Sequence, residues 1–365
     1  MTVTTLLSSI TFGALALSGA QSSEHSSALQ NAAEAVLETT DAPGIGLAMR
    51  CGSEPVHLAV AGDRISGSDT PVQPGDLWHM GSNTKAMTAT LAARLVEQGV
   101  ISWDTTLGEA LAGVDLEIHA DLVDVALAEL LTHRGGVIPN PGMVTALRLA
   151  GADADRDVQA DRRVYAQASV SAPGGLRGEF LYSNAGYVLA GLMMETAASM
   201  PYEALMAREV FEPLGMDSAG WGPPGVAGAA DQPRGHSSGM FGGVRAREPG
   251  ARADNPPAAN PAGRAHMALD DLVDFLNAHR DRPTQYLSEE SWERLQSPLE
   301  GVSYAMGWGV RADGTLSHAG SNTMWFAVMR VEPESGCVSV GAINEARDPA
   351  ADALSRLVRD MSGLN

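Results

Sequence analysis

The chain has 365 residues, 44% of them hydrophobic, and a formal net charge of −20 at pH 7. That length can bury a large core and allows two domains or one elaborated domain. The charge excludes nucleic acid and anionic membrane as partners, because both would repel it.

Residues 1–22 read as a signal peptide. Met1 to Ala20 carry no charged side chain and hold an apolar stretch from Leu6 to Leu17, followed by Ser18-Gly19-Ala20 as a small-residue cleavage site. The expected location is therefore periplasmic or secreted. The stretch is too short for a transmembrane helix, so no stable membrane insertion is expected once it is removed. From Ser26 to Thr39, Leu29, Ala32, Ala33, Val36 and Leu37 recur at helical spacing. Gly44 to Met49 reads as a strand, followed by a turn and a second strand at Val56 to Val60. From Ser82 the pattern is helical again, with Met87, Leu91, Leu95 and Val96 on one face and Gly99 at the stop. Helix-favouring, alanine-rich sequence continues to about Leu276, interrupted by loops at Gly151 to Asp161 and Trp221 to Pro261. Strand composition returns at Leu316 to His318, Trp325 to Val331 and Val338 to Ile343, with Glu332 to Gly336 as a hairpin turn. A last amphipathic helix spans Pro349 to Met361. Strands at both chain ends thus enclose helices, an α+β arrangement.

Lysine occurs once, at Lys85, and Ser82 lies three residues before it. Every other fixed side-chain cation is arginine, which stays protonated, whereas a desolvated amine can lose its proton and act as a base. Residues three apart share a helical face, so the Lys85 amine can reach the Ser82 hydroxyl. A helix N-terminus adds free N–H groups that favour developing negative charge. Two further segments carry chemistry. In Tyr182-Ser183-Asn184 a phenol can shuttle a proton and an amide can hold a carbonyl, although Ser183 or Asn184 also suits a helix cap. In His318-Ala319-Gly320-Ser321-Asn322, at the end of a strand, Gly320 permits close backbone approach and the next N–H can donate to an oxyanion.

Two alternatives fail on context. Gly235-His236-Ser237-Ser238-Gly239 matches the G-x-S-x-G nucleophile elbow but lacks the strand–turn–helix setting. The nine histidines form no H-E-x-x-H or comparable pair, so no metal and no other cofactor is expected. Cys51 and Cys337 cannot form a metal set by themselves and are compatible with two buried thiols or one disulfide.

Taken together, the three segments in this order resemble the serine β-lactamase and penicillin-binding protein superfamily, in its class C-like branch of β-lactamase-related hydrolases and esterases. Leu130 to Gly136, Gln232 to His236 and Asn260 to Met267 are similar to recurring segments of that branch. The resemblance implies a β-lactamase/transpeptidase-like α+β fold, an antiparallel sheet flanked by helices with a helical domain inserted. Residues 23–80 with 285–365 would form the sheet domain, and 81–284 the mostly helical domain carrying both the S-x-x-K and Y-S-N motifs. It also implies Ser82 as acylated nucleophile, Lys85 as its base and Tyr182 as proton shuttle. Asn184, His318, Gly320, Ser321 and Asn322 would face substrate, with the Ser82 and Ser321 N–H groups as oxyanion hole. Family topology sets the Gly44 strand antiparallel to Val338 to Ile343, which implies a Cys51–Cys337 disulfide. His318 departs from the pattern, standing where lysine of K-T-G usually sits, and a neutral imidazole binds a carboxylate less well. The expected activity is therefore hydrolysis of small esters or D-amino-acid peptides through an acyl-enzyme. A true class C-like β-lactamase, or a penicillin-binding sensor without turnover, are the alternatives.

Overall fold

The computed structural model describes residues 25–150, 156–239 and 243–364. The signal-like segment and part of the expected loop at Gly151 to Asp161 lie outside them. Among the described residues the strands are, in order, β1 (Gly44–Cys51), β2 (His57–Gly62), β3 (Trp78–His79), β4 (Gly220–Trp221), β5 (His236–Ser238), β6 (Val244–Ala246), β7 (Ala265–Met267), β8 (Gly309–Val310), β9 (Leu316–Ser321), β10 (Phe326–Glu332) and β11 (Cys337–Ile343). Six of these form one antiparallel sheet, ordered β2-β1-β11-β10-β9-β8. The two ends of the chain meet at its centre, where Ile45 lies opposite Ile343 and Cys51 opposite Cys337. That register brings the two cysteines together, and they form a disulfide.

The period of two along each strand sorts the sheet into two faces. Ile45, Leu47 and Met49 turn to one side, where they pack with Leu29, Ala33 and Val36 of the helix over residues 25–39 and with Leu354 and Val358 of the helix Asp348–Asp360. Ala48, Ala327, Met329, Val338 and Val340 turn to the other and join a larger core with Leu272, Phe275 and Leu276. The helix Thr84–Glu97 runs through that core and is buried on most of its circumference. Its alanines Ala86, Ala89, Ala92 and Ala93, all fully buried, leave room for close neighbours. The result is an α+β fold, an antiparallel sheet flanked by helices. No helix among the described residues is long and apolar enough to cross a membrane.

Several boundaries differ from expectation. Strand β9 continues past His318 to Ser321, held by pairing of Gly320 with Ala327 and of Ser321 with Phe326. The helix Val158–Val170 begins inside the expected loop, because the Asp157 carboxylate caps it by accepting from the N–H groups of Gln159 and Ala160. The helix Leu269–Asp281, grouped by sequence with the helical domain, packs instead on β1, β10 and β11. Ser237 of the G-x-S-x-G match lies in the β5–β6 hairpin opposite Arg245, with its hydroxyl accepting from Arg247. It has no nucleophile-elbow geometry.

The helix Leu269–Asp281 carries a fully buried His279 among the rings of Phe275, Trp292 and Trp308. Burial, with Arg282 nearby, presses its pKa down to about 3. An unfolded histidine titrates near ~6.5. The group's contribution to stability is therefore complete above that value and is lost as pH falls toward the folded value. Between pH 7.5 and 5.0, urea titration should show wild type losing about 2 kcal/mol more stability than a His279→Gln variant.

Candidate active site

The chain enters the site through β3 and a tight turn, Gly81–Asn83, that leads into the helix Thr84–Glu97. Gly81 has φ +50°, and a Cβ there would sit 2.4 Å from the Ser321 nitrogen. A Cβ on Gly320 would lie 2.1 Å from the Met80 oxygen and 2.6 Å from the Ser82 nitrogen. Only two facing glycines let these backbones touch, and their contact brings the Ser82 and Ser321 nitrogens close together. Two neighbouring backbone donors are the kind of arrangement that can receive one oxyanion.

Lys85 is fully buried. Its Nζ lies 3.0 Å from Ser82 Oγ, 2.7 Å from Asn184 Oδ1 and 2.6 Å from the Ala262 carbonyl. All three partners are neutral, so burial holds its pKa well below the ordinary lysine value. A neutral amine has two hydrogens and one lone pair. The Asn184 and Ala262 oxygens can only accept, so Nζ donates to both, and an amine that has lost its third proton turns its lone pair to the Ser82 hydroxyl. Tyr182 completes the group. Its ring lies 4.9 Å from Nζ, and desolvation of the phenol, outweighing the nearby Ser82 hydroxyl, pushes its pKa up to about 12 although its outer edge stays exposed.

The Tyr182-Ser183-Asn184 segment does two jobs at once. Ser183 caps the helix Asn184–Ala198, its Oγ accepting from the Gly186 N–H at 2.8 Å. Its neighbours therefore turn the other way, toward Lys85. Behind them the His133 ring packs against Tyr182, tilted by 40° at 4.3 Å, and its Nδ1 accepts the Ser183 N–H. Burial, with Lys85 and His318 near, presses His133 to a pKa of about 2, so it is neutral.

Ser82 opens into a neck of about 70 Å³ between Asn184, Gly263 and Ser321. Beside it lies a cleft of about 500 Å³ walled by Asn140, Leu149, Tyr165, Asn255 and Met324 among others. Asn140 accepts from the Asn184 amide at 2.9 Å and so fixes which way that amide faces.

A family model for Beta-lactamase matches residues 29–361. The chain belongs to the Beta-lactamase family. It is 25% identical over 342 residues to Penicillin-binding protein 4 of Amycolatopsis lactamdurans, covering 88% of this chain and 86% of that protein. It is 28% identical over 179 residues to Unguisins hydrolase ungD of Aspergillus violaceofuscus, covering 48% of this chain and only 30% of that longer protein. Among solved structures, D-amino acid amidase from Ochrobactrum anthropi SV3 superposes with a TM-score of 0.72 at 22% identity, covering 93% and 97% of the two chains.

Within this Beta-lactamase fold the expected residues do not all serve as expected. Ser82, Lys85, Tyr182 and Asn184 converge, with Gly320 and Ser321 against them. Asn322 borders the cleft, but its amide is spent inside the protein: it donates to the Ala253 carbonyl and Asp254, and accepts from the Met324 and Trp325 N–H groups. It is a poor substrate contact for that reason. His318 is not among the walls of the cleft. It sits by Tyr304, 3.4 Å from its hydroxyl, and burial with Lys85 nearby lowers its pKa to about 3. It therefore offers no positive charge to a substrate carboxylate. Asn140, Tyr304 and the Ala262 carbonyl were not foreseen. Ala262 lay within a quoted family-like segment, whereas Asn140 and Tyr304 had no local signal. A His25–Glu54–His57 group, unforeseen by sequence spacing, gathers at the Cys51 end of the sheet. Ser321 lies at the opposite end, so this group takes no part in the site.

Because Lys85 is unique, lysine labelled with ¹³C at Cε reports it alone. Its resonance should keep the neutral-amine shift at pH values well below 10.5 and return to ordinary lysine titration in denaturant. An ordinary titration in the folded protein would contradict the site's electrostatics.

Proposed function

We propose that this serine hydrolase of the Beta-lactamase family cleaves small esters or D-amino-acid amides and peptides through an acyl-enzyme on Ser82. The observation that carries the reading is Lys85 Nζ, fully buried among neutral partners and 3.0 Å from the Ser82 hydroxyl, with burial holding its pKa well below the ordinary lysine value.

In this reading Lys85 takes the Ser82 proton as Oγ attacks the carbonyl carbon. The carbonyl oxygen gains negative charge and is received by the Ser82 and Ser321 N–H groups. Tyr182, a phenol throughout the neutral range, donates its proton to the leaving oxygen or nitrogen and regains one from the lysinium. Water then attacks the acyl-enzyme by the reverse route, and the Ser82 hydroxyl is restored. Asn184, fixed by Lys85 and Asn140, shapes the entry for the acyl chain.

The neutral His318 supports esters and amides over carboxylate-bearing β-lactams as working substrates. The likeness to Penicillin-binding protein 4 along most of its length supports a second reading, acylation by penicillins without turnover. The apolar, uncharged stretch before residue 22 and the Cys51–Cys337 disulfide support an exported enzyme.

A panel of nitrophenyl esters, D-alanyl peptides and a chromogenic cephalosporin, with intact mass after a penicillin probe, separates these readings. Ester or D-peptide turnover exceeding cephalosporin turnover is expected, and a long-lived adduct without turnover would favour the second reading. Ser82→Ala should abolish both turnover and adduct. Lys85→Arg, whose guanidinium cannot take a proton, should lower kcat/KM by about 10³-fold or more. In wild type, kcat/KM should fall about tenfold per pH unit below the depressed Lys85 pKa, since protonation removes the base. Activity surviving in Ser82→Ala would sink the assignment.

A further inference from the structure

The two N–H donors of the oxyanion hole come from opposite ends of the chain, and glycine contact alone does not lock their separation. Behind them lies Asp254, its side chain 1% exposed. Its Oδ2 accepts from His79 Nε2 at 2.8 Å and Arg264 Nε at 2.9 Å. Its Oδ1 accepts from Asn322 Nδ2 at 3.0 Å and the Asn255 N–H at 2.8 Å. One carboxylate thus receives four donors.

Two of those donors lead directly to the hole. His79 stands three residues before Ser82, and its Nδ1 accepts the Gly81 N–H at 3.1 Å. Its hydrogen is therefore on Nε2, facing Asp254. Asn322 directly follows Ser321, and its Oδ1 accepts from the N–H groups of Met324 and Trp325, both at 3.1 Å. The Trp325 ring in turn stacks on His79 at 5.5 Å. The segment before Ser82 and the segment after Ser321 are consequently tied to the same two oxygens.

We propose that Asp254 is the positioning residue of the oxyanion hole, with His79 and Asn322 as the two arms that fix the Ser82 and Ser321 N–H groups relative to each other. The inference rests on the reading of Ser82 as nucleophile. Arg264 anchors the far side, since its Nη1 also donates to Asn260 Oδ1 at 2.7 Å and Asn260 donates to Glu203. Burial by itself would raise the Asp254 pKa, but His79, Arg264 and Asn322 outweigh it and hold the group ionised. The same loop shapes the substrate neck through Asn255 and Pro256. Oxyanion donors stabilise the transition state only at about 2.7–3.1 Å from the developing charge. Loosening either arm should therefore affect acylation and leave ground-state binding largely intact.

Asp254→Asn keeps the shape but cannot accept four donors, because its amide nitrogen meets one pair of them head on. His79→Gln can still donate to Asp254, whereas His79→Phe cannot. The experiment measures acylation by a nitrophenyl ester before steady state, KM, thermal stability, and the infrared band of the acyl-enzyme carbonyl. Peptide mass first locates the adduct in wild type.

With the adduct on Ser82, Asp254→Asn should acylate about 10²-fold more slowly with KM within about threefold. Its carbonyl band should move to higher wavenumber, as a carbonyl that has lost part of its polarising contact does. His79→Phe should behave like Asp254→Asn, and His79→Gln should stay within about tenfold of wild type. If Asp254→Asn does not fold, the two His79 variants decide by the same readings. Wild-type acylation in a folded Asp254→Asn, an unmoved carbonyl band, or His79→Gln as slow as His79→Phe would each overturn the positioning role. A wild-type adduct elsewhere than Ser82 overturns the underlying reading, and the inference with it.

Discussion

An ammonium group is among the costliest things a protein can bury, and Lys85 is fully buried with no carboxylate among its partners. That cost drives its pKa well below the ordinary lysine value, toward the uncharged amine. Its surroundings are arranged in the same way: His133 and His318 are held neutral by burial, and Tyr182, Tyr187 and Tyr304 are all shifted away from phenolate. The pocket is polar, and burial biases each of these groups toward its uncharged form. In the proposed reaction charge develops there as Ser82 gives up its proton, and it appears as a pair, lysinium beside oxyanion. Preorganised dipoles are most effective in such a setting, because little has to reorient as the charge forms.

Formal charges are kept nearby but apart. Arg162, also fully buried, bridges Glu195 and Glu203, and Asn260 and Arg264 carry the chain of contacts on to Asp254. Each buried ion in this series has an opposite partner, which is the condition under which such groups are tolerated. The series connects the helices Val158–Val170 and Asn184–Ala198 with the turn before Ser82. A frame of paired charges thus borders the reaction centre.

Much of this was legible in residue order, and the limits have physical reasons. Ser82 and Lys85 are three apart, and helical geometry alone puts their side chains together. Tyr182 and Asn184 alternate around a capping Ser183, again a local matter. Asn322 and His318 show where local reading fails. Both sit beside a true site element, but whether an amide faces substrate or protein depends on what lies behind it. For Asn322 the answer is Asp254, 68 positions away. Strand β9 likewise runs on through Gly320 and Ser321, residues of weak strand preference, because β10 pairs with them.

Sequence alone determined the reactive pair, the order of strands and helices, and the identity of the one cation able to lose its proton. Those depend on spacing along a helix and on side-chain chemistry. Tertiary structure decided that Lys85 meets only neutral oxygens and that Cys51 lies opposite Cys337. It also decided that the backbones around Gly81 and Gly320, far apart in sequence, come into direct contact. Desolvation and backbone contact are properties of the space around a residue, and that space is set only once distant segments pack.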